Sequence, residues 1–394
     1  MGEIMKVNDI YKVKIIDVNN IGNGIAKIDN FVIFIKNALL DEELQIKIIE
    51  VKKNYAIGEI VTFIKKSDKR IDIPCKYYDL CGGCNFLHTT YRNERDIKQK
   101  YLEHLFNTKI NYLNTNNELN YRNKVVLHVN KGILGLYNDK THNICEIDSC
   151  LLLDHLINLK IADIKKYDLK DVSEIMIRSI NNKIMISITS KSDDIRLKDI
   201  ECDSLYINNK HIKGEEYLID EINGFKFTIY PDSFYQVNKE GMTSIYNRAY
   251  DYLNKSKSLL DLYCGTGTIG IWNSSKFDTI LGIEINENSI KNANINKKLN
   301  NISNIEFKCM DASNIEGNFD TIIVDPPRIG LSKEVCEFLN NSNSKQILYI
   351  SCNPNTLKRD IDLLTNYSLK NISCSDMFPR TKHCESIAML ERKI

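Results

Sequence analysis

Cys352 follows the apolar run Leu348-Tyr349-Ile350 and precedes Asn353-Pro354, which stops it. The run reads as a buried strand, so the thiol emerges where a strand leaves its sheet, the edge at which open α/β sheets bind ligands. A thiol there is either a small core residue, the commoner fate of a free cysteine, or a nucleophile. A second group of thiols lies in Cys75-x5-Cys81-Gly82-Gly83-Cys84. Three cysteines this close, with glycines that let the backbone wrap tightly, have metal-site spacing. A fourth ligand is needed, and Cys145 and Cys150 are the downstream candidates. Zinc and an iron-sulfur cluster both accept four thiolates, and spacing does not choose between them.

A third pattern is Asp261-Leu-Tyr263-Cys-Gly265-Thr-Gly267-Thr-Ile-Gly270, at the end of an apolar segment. Glycines here let the backbone approach a ligand, and the next helix points its N-terminus at it. Glu284 ends the following apolar segment and is placed to accept ribose hydroxyls, in an NAD enzyme or an S-adenosylmethionine enzyme alike. Asp261 would repel a pyrophosphate but tolerates a sulfonium, which favours S-adenosylmethionine. Asp325-Pro326-Pro327-Arg328 ends a fourth segment, and Arg380, His383 and Glu385 precede the last one.

The elements that must position these residues fall into three stretches. Residues 1–66 alternate polar and apolar over Tyr11–Ile16, Gly24–Ile28, Phe31–Ile35, Glu43–Lys52 and Ala56–Phe63, which predicts a five-stranded OB-like β-barrel. Such barrels often carry RNA, and Lys12, Lys14, Lys52, Lys53, Lys65 and Lys66 are candidate phosphate contacts, with solvated surface lysines the equal alternative. Residues 67–230 read as an α+β domain holding the cysteines. It has an amphipathic helix over Tyr91–Phe106 with Ile97, Tyr101, Leu102 and Leu105 inward, a helix over Leu151–Lys166 and a hairpin about Asn181-Asn182. From 231 to 394 a helix over Lys239–Leu253 precedes five apolar strands separated by helix-length segments, which specifies a doubly wound parallel sheet. Two last strands, joined too tightly for a crossover helix, form an antiparallel edge.

Bulk properties narrow the classes. Lys+Arg is 53 against Asp+Glu at 52, so overall charge neither implies nor excludes a polyanionic partner. Hydrophobic content of 43% fits a globular protein, no apolar run is long enough for a membrane helix, and Met1-Gly2-Glu3 begins no signal peptide. A cytoplasmic protein is expected, with no membrane and no obligate protein partner evident. Twelve cysteines are then not a disulfide framework.

Taken in order, Ser233–Asn238, Asp261–Gly267, Asp325–Arg328, Ser351–Pro354 and His383-Cys384-Glu385-Ser386 resemble the RNA 5-methyluridine methyltransferases, the tRNA and 23S rRNA uracil-C5 enzymes. The resemblance covers nearly the whole chain. It implies a C-terminal Class I S-adenosylmethionine-dependent (Rossmann-like) domain, a central α+β domain and an N-terminal TRAM barrel. Cys75, Cys81, Cys84 and Cys150 fall where the ribosomal members hold a [4Fe-4S] cluster, with zinc the alternative, so the resemblance leans toward 23S rRNA. It assigns Cys352 as nucleophile and Glu385 as base. Gln236, Tyr263, Glu284 and Asp325 match cofactor-binding positions, with Thr268 and Asp311 as weaker matches. Gln236 and Asp325 also touch the uracil in this reading, and Arg122 supports that pocket. Cys264, Cys374 and Cys384 are read as packing. The alternatives are a tRNA target, or an RNA-binding protein with a relic methyltransferase fold. One departure is Asp41, where TRAM barrels commonly have glycine.

Overall fold

The computed structural model describes residues 5–113, 115–138, 141, 143–192 and 195–393. The chain divides into two units: Met1–Thr108 with Asn138–Thr141 and Phe378–Lys382, and Lys109–Tyr137 with His142–Met377 and His383–Ile394.

In the first unit, alternation produces the barrel. Strands β1 (Ile10–Lys14), β2 (Asp17–Val18), β3 (Asn23–Ile28), β4 (Phe31–Lys36), β5 (Glu43–Val51) and β6 (Tyr55–Lys65) form a sheet in the order β1-β5-β6-β4-β3-β2. Leu44, Ile46 and Ile48 point inward from β5 to meet Val13, Ile15, Ile33 and Ile35. Six strands appear where five were expected because the first is bent. Its start pairs with β5, its continuation β2 pairs with β3, and the two halves close the barrel. Asp41 has φ +66°, the left-handed conformation that glycine adopts freely and aspartate tolerates. Beside it, Glu42 is fully buried and takes the Arg70 guanidinium on both oxygens, at 2.5 and 2.7 Å.

After the barrel come a one-turn helix α1 (Tyr78–Cys81), closed by Gly82, and α2 (Tyr91–Phe106), whose cap Thr90 accepts from the Asn93 amide. Helix α2 spans the expected residues, but of the four side chains expected inward only Leu102 is fully buried, and the buried face also carries Asn93, Glu94, Phe106 and Lys98. Lys98 Nζ lies 2.7 Å from Glu94 Oε1, and Glu94 also takes the Arg380 amide at 2.8 Å and the Arg380 guanidinium at 3.4 Å. Arg380 is thus spent on a buried charge cluster in this unit.

The second unit holds three sheets. One contains β8 (Lys124–Asn130), β9 (Ile133–Tyr137), β10 (Ile144–Glu146), β11 (Val172–Ile180), β12 (Lys183–Ser190), β13 (Ser204–Ile207) and β14 (Lys210–Gly214), ordered β10-β9-β8-β11-β12-β13-β14, with α3 (His155–Ile164) packed on β11. A hairpin follows, β15 (Leu218–Ile222) with β16 (Phe225–Ile229). The third sheet comprises β7 (Asn111–Leu113), β17 (Ser256–Leu262), β18 (Phe277–Glu284), β19 (Ile305–Cys309), β20 (Thr321–Val324), β21 (Gln346–Ser351), β22 (Tyr367–Ser375) and β23 (Glu385–Arg392), in the order β19-β18-β17-β20-β21-β23-β22-β7. Helices α4 (Lys239–Tyr252), α5 (Thr268–Trp272), α6 (Glu287–Leu299), α7 (Lys333–Asn341) and α8 (Pro354–Leu363) accompany it. Strands β20 and β21 are buried along their whole length, as strands covered on both faces must be. Strand β23 enters antiparallel between β21 and β22. This is a doubly wound α/β sheet with an antiparallel edge, as the alternation and the tight last connection predicted. Among the described residues, no helix is long and apolar enough to cross a membrane.

Candidate active site

Each central strand ends at a residue the sequence singled out. Strand β17 leads into Tyr263, β18 ends at Glu284, β20 precedes Asp325, β21 precedes Cys352, and β23 begins at Glu385. The register aligns them. Leu262 pairs with Ile283 and Val324, and Val324 with Tyr349. Strands β21 and β23 pair antiparallel as far as Ser351 opposite Ser386, and Cys352 and Glu385 are the next residues at that end of the ladder. Beyond Cys352, Asn353 caps α8 and Pro354 occupies its first turn. The strand order reverses between β17 and β20, the switch point at which doubly wound sheets open a crevice.

The glycine turn is tied to Glu284. The Cys264 amide donates to Ile283 O at 3.0 Å, the Gly265 amide to Glu284 Oε2 at 3.2 Å and the Asn286 amide to Glu284 Oε1 at 2.9 Å. Tyr263 is left-handed at φ +63°, a strain of about 1–3 kcal/mol that the surrounding bonds must hold. A Cβ on Gly267 (φ +77°) would lie 2.5 Å from the Phe307 ring, whereas one on Gly265 (φ +54°) would meet nothing within 4 Å. Gly267 therefore seats the turn on the sheet, and Gly265 borders open space. Asp261 is buried; its Oδ2 accepts from the Gly270 amide at 3.1 Å, while Oδ1 has no partner among the described residues. An orphaned carboxylate oxygen, an open glycine and a ribose-height carboxylate fit an adenosyl cofactor with a cationic centre.

Thr268 opens α5, and its hydroxyl shares a 2.8 Å hydrogen bond with Tyr246. Asp311 is exposed past β19 and caps its own loop, accepting from the Ser313 amide and hydroxyl at 2.8 and 2.7 Å; those bonds hold its pKa below the usual carboxylate value. Gln236 rides on the loop before α4. That loop is clamped from the central sheet: the fully buried Arg178 of β11 donates to Tyr230 O at 3.3 Å and Ser233 O at 3.1 Å. Asn123 donates its amide to Val237 O at 2.9 Å and its side chain to Gln236 O at 3.2 Å. Arg122 bridges Asn238 and Leu153 through its backbone, and its Nε donates to Lys124 O.

Electrostatically the site is a pocket of carboxylates. Burial pushes the Asp261 pKa up to about 8, reinforced by Asp325. Burial likewise raises Asp325, and raises Glu385 well above the carboxylate range, with Asp325 adding to it. The Cys352 thiol is raised by burial and then by Glu385, while the charge of Arg328 opposes the rise. A bound cation would lower every one of these acids, so the pocket has the charge complement of a sulfonium.

The cysteine motif is placed otherwise. Cys75, Cys81 and Cys84 are partly buried in the first unit. Cys150 belongs to the second, where its amide and carbonyl both bond the Asn158 side chain. Among the described residues no set of three or more Cys, His, Asp or Glu is gathered to hold a metal ion. Cys264, Cys374 and Cys384 are buried in packing positions.

Two features escaped sequence reading. Arg178 interrupts the apolar strand Ile175–Ile180, a detectable irregularity whose partners lie far along the chain. Tyr246, on the buried face of α4, looks like any core aromatic.

The crevice and switch point define a Class I methyltransferase. The tRNA (uracil-5-)-methyltransferase family model matches residues 205–317 and 314–393, and the TRAM domain model matches residues 5–61. An uncharacterized RNA methyltransferase of Staphylococcus epidermidis is 32% identical across 99% of both chains, and one of Staphylococcus aureus is 30% identical across 98% of this chain and 99% of its own. The crystal structure of the Pyrococcus abyssi tRNA (uracil-54, C5)-methyltransferase in complex with S-adenosyl-L-homocysteine superposes with a TM-score of 0.84, at 24% identity, over 96% of this chain and 100% of that one. The chain belongs to the RNA uracil-5-methyltransferase family, with an N-terminal TRAM domain.

Proposed function

We propose that the protein forms 5-methyluridine in RNA by covalent catalysis, with Cys352 as nucleophile and Glu385 as base. The observation that carries this reading is the register of β21 and β23, whose ladder closes on Ser351 and Ser386 and so leaves Cys352 and Glu385 at the same sheet edge, next to the strand that leads into Asp325. Uracil C5 is a poor nucleophile. Addition of the Cys352 thiolate to C6 makes C5 enolate-like, so it attacks the methyl of S-adenosylmethionine and releases S-adenosylhomocysteine. The Glu385 carboxylate then removes the C5 proton, and the returning electron pair expels Cys352 to leave the methylated base. Tyr263, Glu284, Gln236 and Asp325 hold the cofactor, with Thr268 and Asp311 in lesser roles. Gln236 and Asp325 also face the uracil, and Arg122 backs that pocket. A sulfonium among Asp261, Asp325 and Glu385 favours their ionised forms, which the base requires.

The target in this reading is 23S rRNA, supported by the barrel together with the cysteine spacing. A tRNA target is the second reading, supported by the description of the matching family and by the substrate of the Pyrococcus abyssi enzyme. The three-part division at residues 66 and 230, a cytoplasmic location and a [4Fe-4S] cluster on Cys75, Cys81, Cys84 and Cys150 belong to the same proposal. The cluster rests on the cysteine spacing and on the resemblance to the ribosomal members, and no step of the reaction depends on it. Anaerobic purification giving a brown, iron-containing protein would support it, and a colourless, zinc-containing one would remove it.

The deciding experiment is transfer of a tritiated methyl group to RNA. Cys352→Ala is expected to abolish transfer while S-adenosylhomocysteine binding survives, and Glu385→Gln to accumulate a covalent protein–RNA adduct. Wild-type turnover by the alanine variant would refute the mechanism. Mapping methyluridine in rRNA and tRNA from cells lacking the gene separates the two targets.

A further inference from the structure

The three most exposed large apolar side chains among the described residues all lie within two residues of a candidate site residue. Ile329, 74% exposed, follows Arg328; Phe234, 69% exposed, lies two residues before Gln236; and Ile285, 67% exposed, follows Glu284. Single exposed hydrophobic residues are ordinary on protein surfaces. Ile329 differs in how firmly it is presented.

Its loop is fastened to α8 at every step. Arg328 O accepts from Asn353 Nδ2 at 3.2 Å and from the Thr356 hydroxyl at 3.3 Å, and Ile329 O accepts from Arg359 Nη2 at 2.9 Å. The Gly330 amide donates to Pro327 O at 2.8 Å, and the Leu331 amide to Asp360 Oδ2 at 2.8 Å. Asp360 is itself buried and held by the Tyr349 hydroxyl at 2.6 Å and by Arg359 Nε at 2.8 Å. A side chain at Gly330 would collide with Asp360 Oδ2 and Arg359 Nη2. The tip is therefore rigid, and isoleucine, branched at Cβ, adds stiffness at χ1. An apolar side chain held this firmly in water meets a partner with little ordering entropy left to lose. It also stands one residue from Arg328, whose carbonyl accepts from the side chain of Asn353, the residue after Cys352.

We infer that Ile329 is a wedge that enters the base stack of the RNA where the target uridine has left it. The inference rests on the proposed attack of Cys352 on uracil. The thiolate must approach C6 from the face of the ring, and a stacked neighbour covers that face, so the base has to turn out first. Turning it out leaves an apolar gap between the flanking bases, and aliphatic side chains fill such gaps in nucleic-acid complexes. Ile329 is of that kind and is adjacent to the nucleophile. Phe234 and Ile285 belong to the segments of Gln236 and Glu284, on the side of the crevice where the cofactor is expected.

The test uses the full-length protein, tritiated S-adenosylmethionine, and in vitro transcripts of tRNA and 23S rRNA segments. If the wild type labels no transcript, the uracil reading falls and the wedge with it. On a transcript that is labelled, Ile329→Ala is expected to lose about tenfold or more in kcat/KM, while Ile329→Leu keeps most of the activity. The same RNA with abasic residues on both sides of the target uridine has no neighbours to separate, so the alanine variant is expected to approach wild type on it. Affinity for S-adenosylhomocysteine and the unfolding temperature should not move, since the side chain is exposed. Equal activity of variant and wild type on the intact transcript, or an equal loss on both RNAs, overturns the wedge and leaves the methyltransferase reading in place.

Discussion

Gly265 and Gly267 sit two residues apart in one turn, yet alanine at each should fail differently. At Gly267 the new methyl would lie 2.5 Å from Phe307, with φ at +77°. Left-handed backbone costs an L-residue about 1–2 kcal/mol, and forcing a methyl into a filled space adds about 1–3 kcal/mol. Gly267→Ala should therefore destabilise the second unit by about 2–5 kcal/mol, seen as a lowered urea midpoint. At Gly265 the backbone strain is similar, but nothing lies within 4 Å of the added carbon. Gly265→Ala should lose only about 1–2 kcal/mol of stability. Its methyl occupies the space through which a ligand meets the turn, so affinity for S-adenosylhomocysteine, measured by calorimetry, should fall at least about tenfold, or about 1.4 kcal/mol. Gly265→Ala binding with unchanged affinity would show that the open space is not the cofactor's. Unchanged stability in Gly267→Ala would refute the close approach to Phe307.

Four further outcomes follow from buried groups. The folded Asp261 keeps a proton that the unfolded chain releases above its ordinary value of 3.8, until the pH passes about 8. Stability of the ligand-free protein should accordingly fall by about a few kcal/mol as the pH rises through that window, and Asp261→Asn, followed by urea unfolding at several pH values, should flatten the slope. Because burial raises the Cys352 thiol, the rate of a single methyl-transfer turnover should climb with pH above neutrality, and a flat profile would contradict a thiolate nucleophile. Glu94→Ala leaves Lys98 and Arg380 buried without their shared carboxylate, a loss of about 3–5 kcal/mol that limited proteolysis of the first unit should register. Arg178→Met strands two buried carbonyls, at about 1–3 kcal/mol each, and loosens the Gln236 loop, which should raise KM for RNA more than it lowers kcat.

What the sequence made legible was local. Helix α2 follows from its cap and periodicity, the parallel strands from unbroken apolar runs, and the site edge from residues that end those runs. Asp41 is legible once its left-handed φ is seen, because a glycine would satisfy the same turn. The remainder depends on partners distant in the chain. Lys98 looks solvent-facing until Glu94 and Arg380 meet it, and Arg380 looks like a site residue until its guanidinium is found in that cluster. Strand β2 has two residues and acquires meaning only through β3, across the turn that closes the barrel.

The end of the ladder between β21 and β23 also governs how this enzyme can vary. Cys352 and Glu385 stand just past its last pair, Ser351 with Ser386, so the register of those strands decides what meets at the edge. The chain between Ser375 and Glu385 carries Arg380, fixed by the buried Glu94, so its composition is constrained by that charge cluster. A slip of a single residue within β23 would turn Glu385 to the far side of the sheet, away from Cys352.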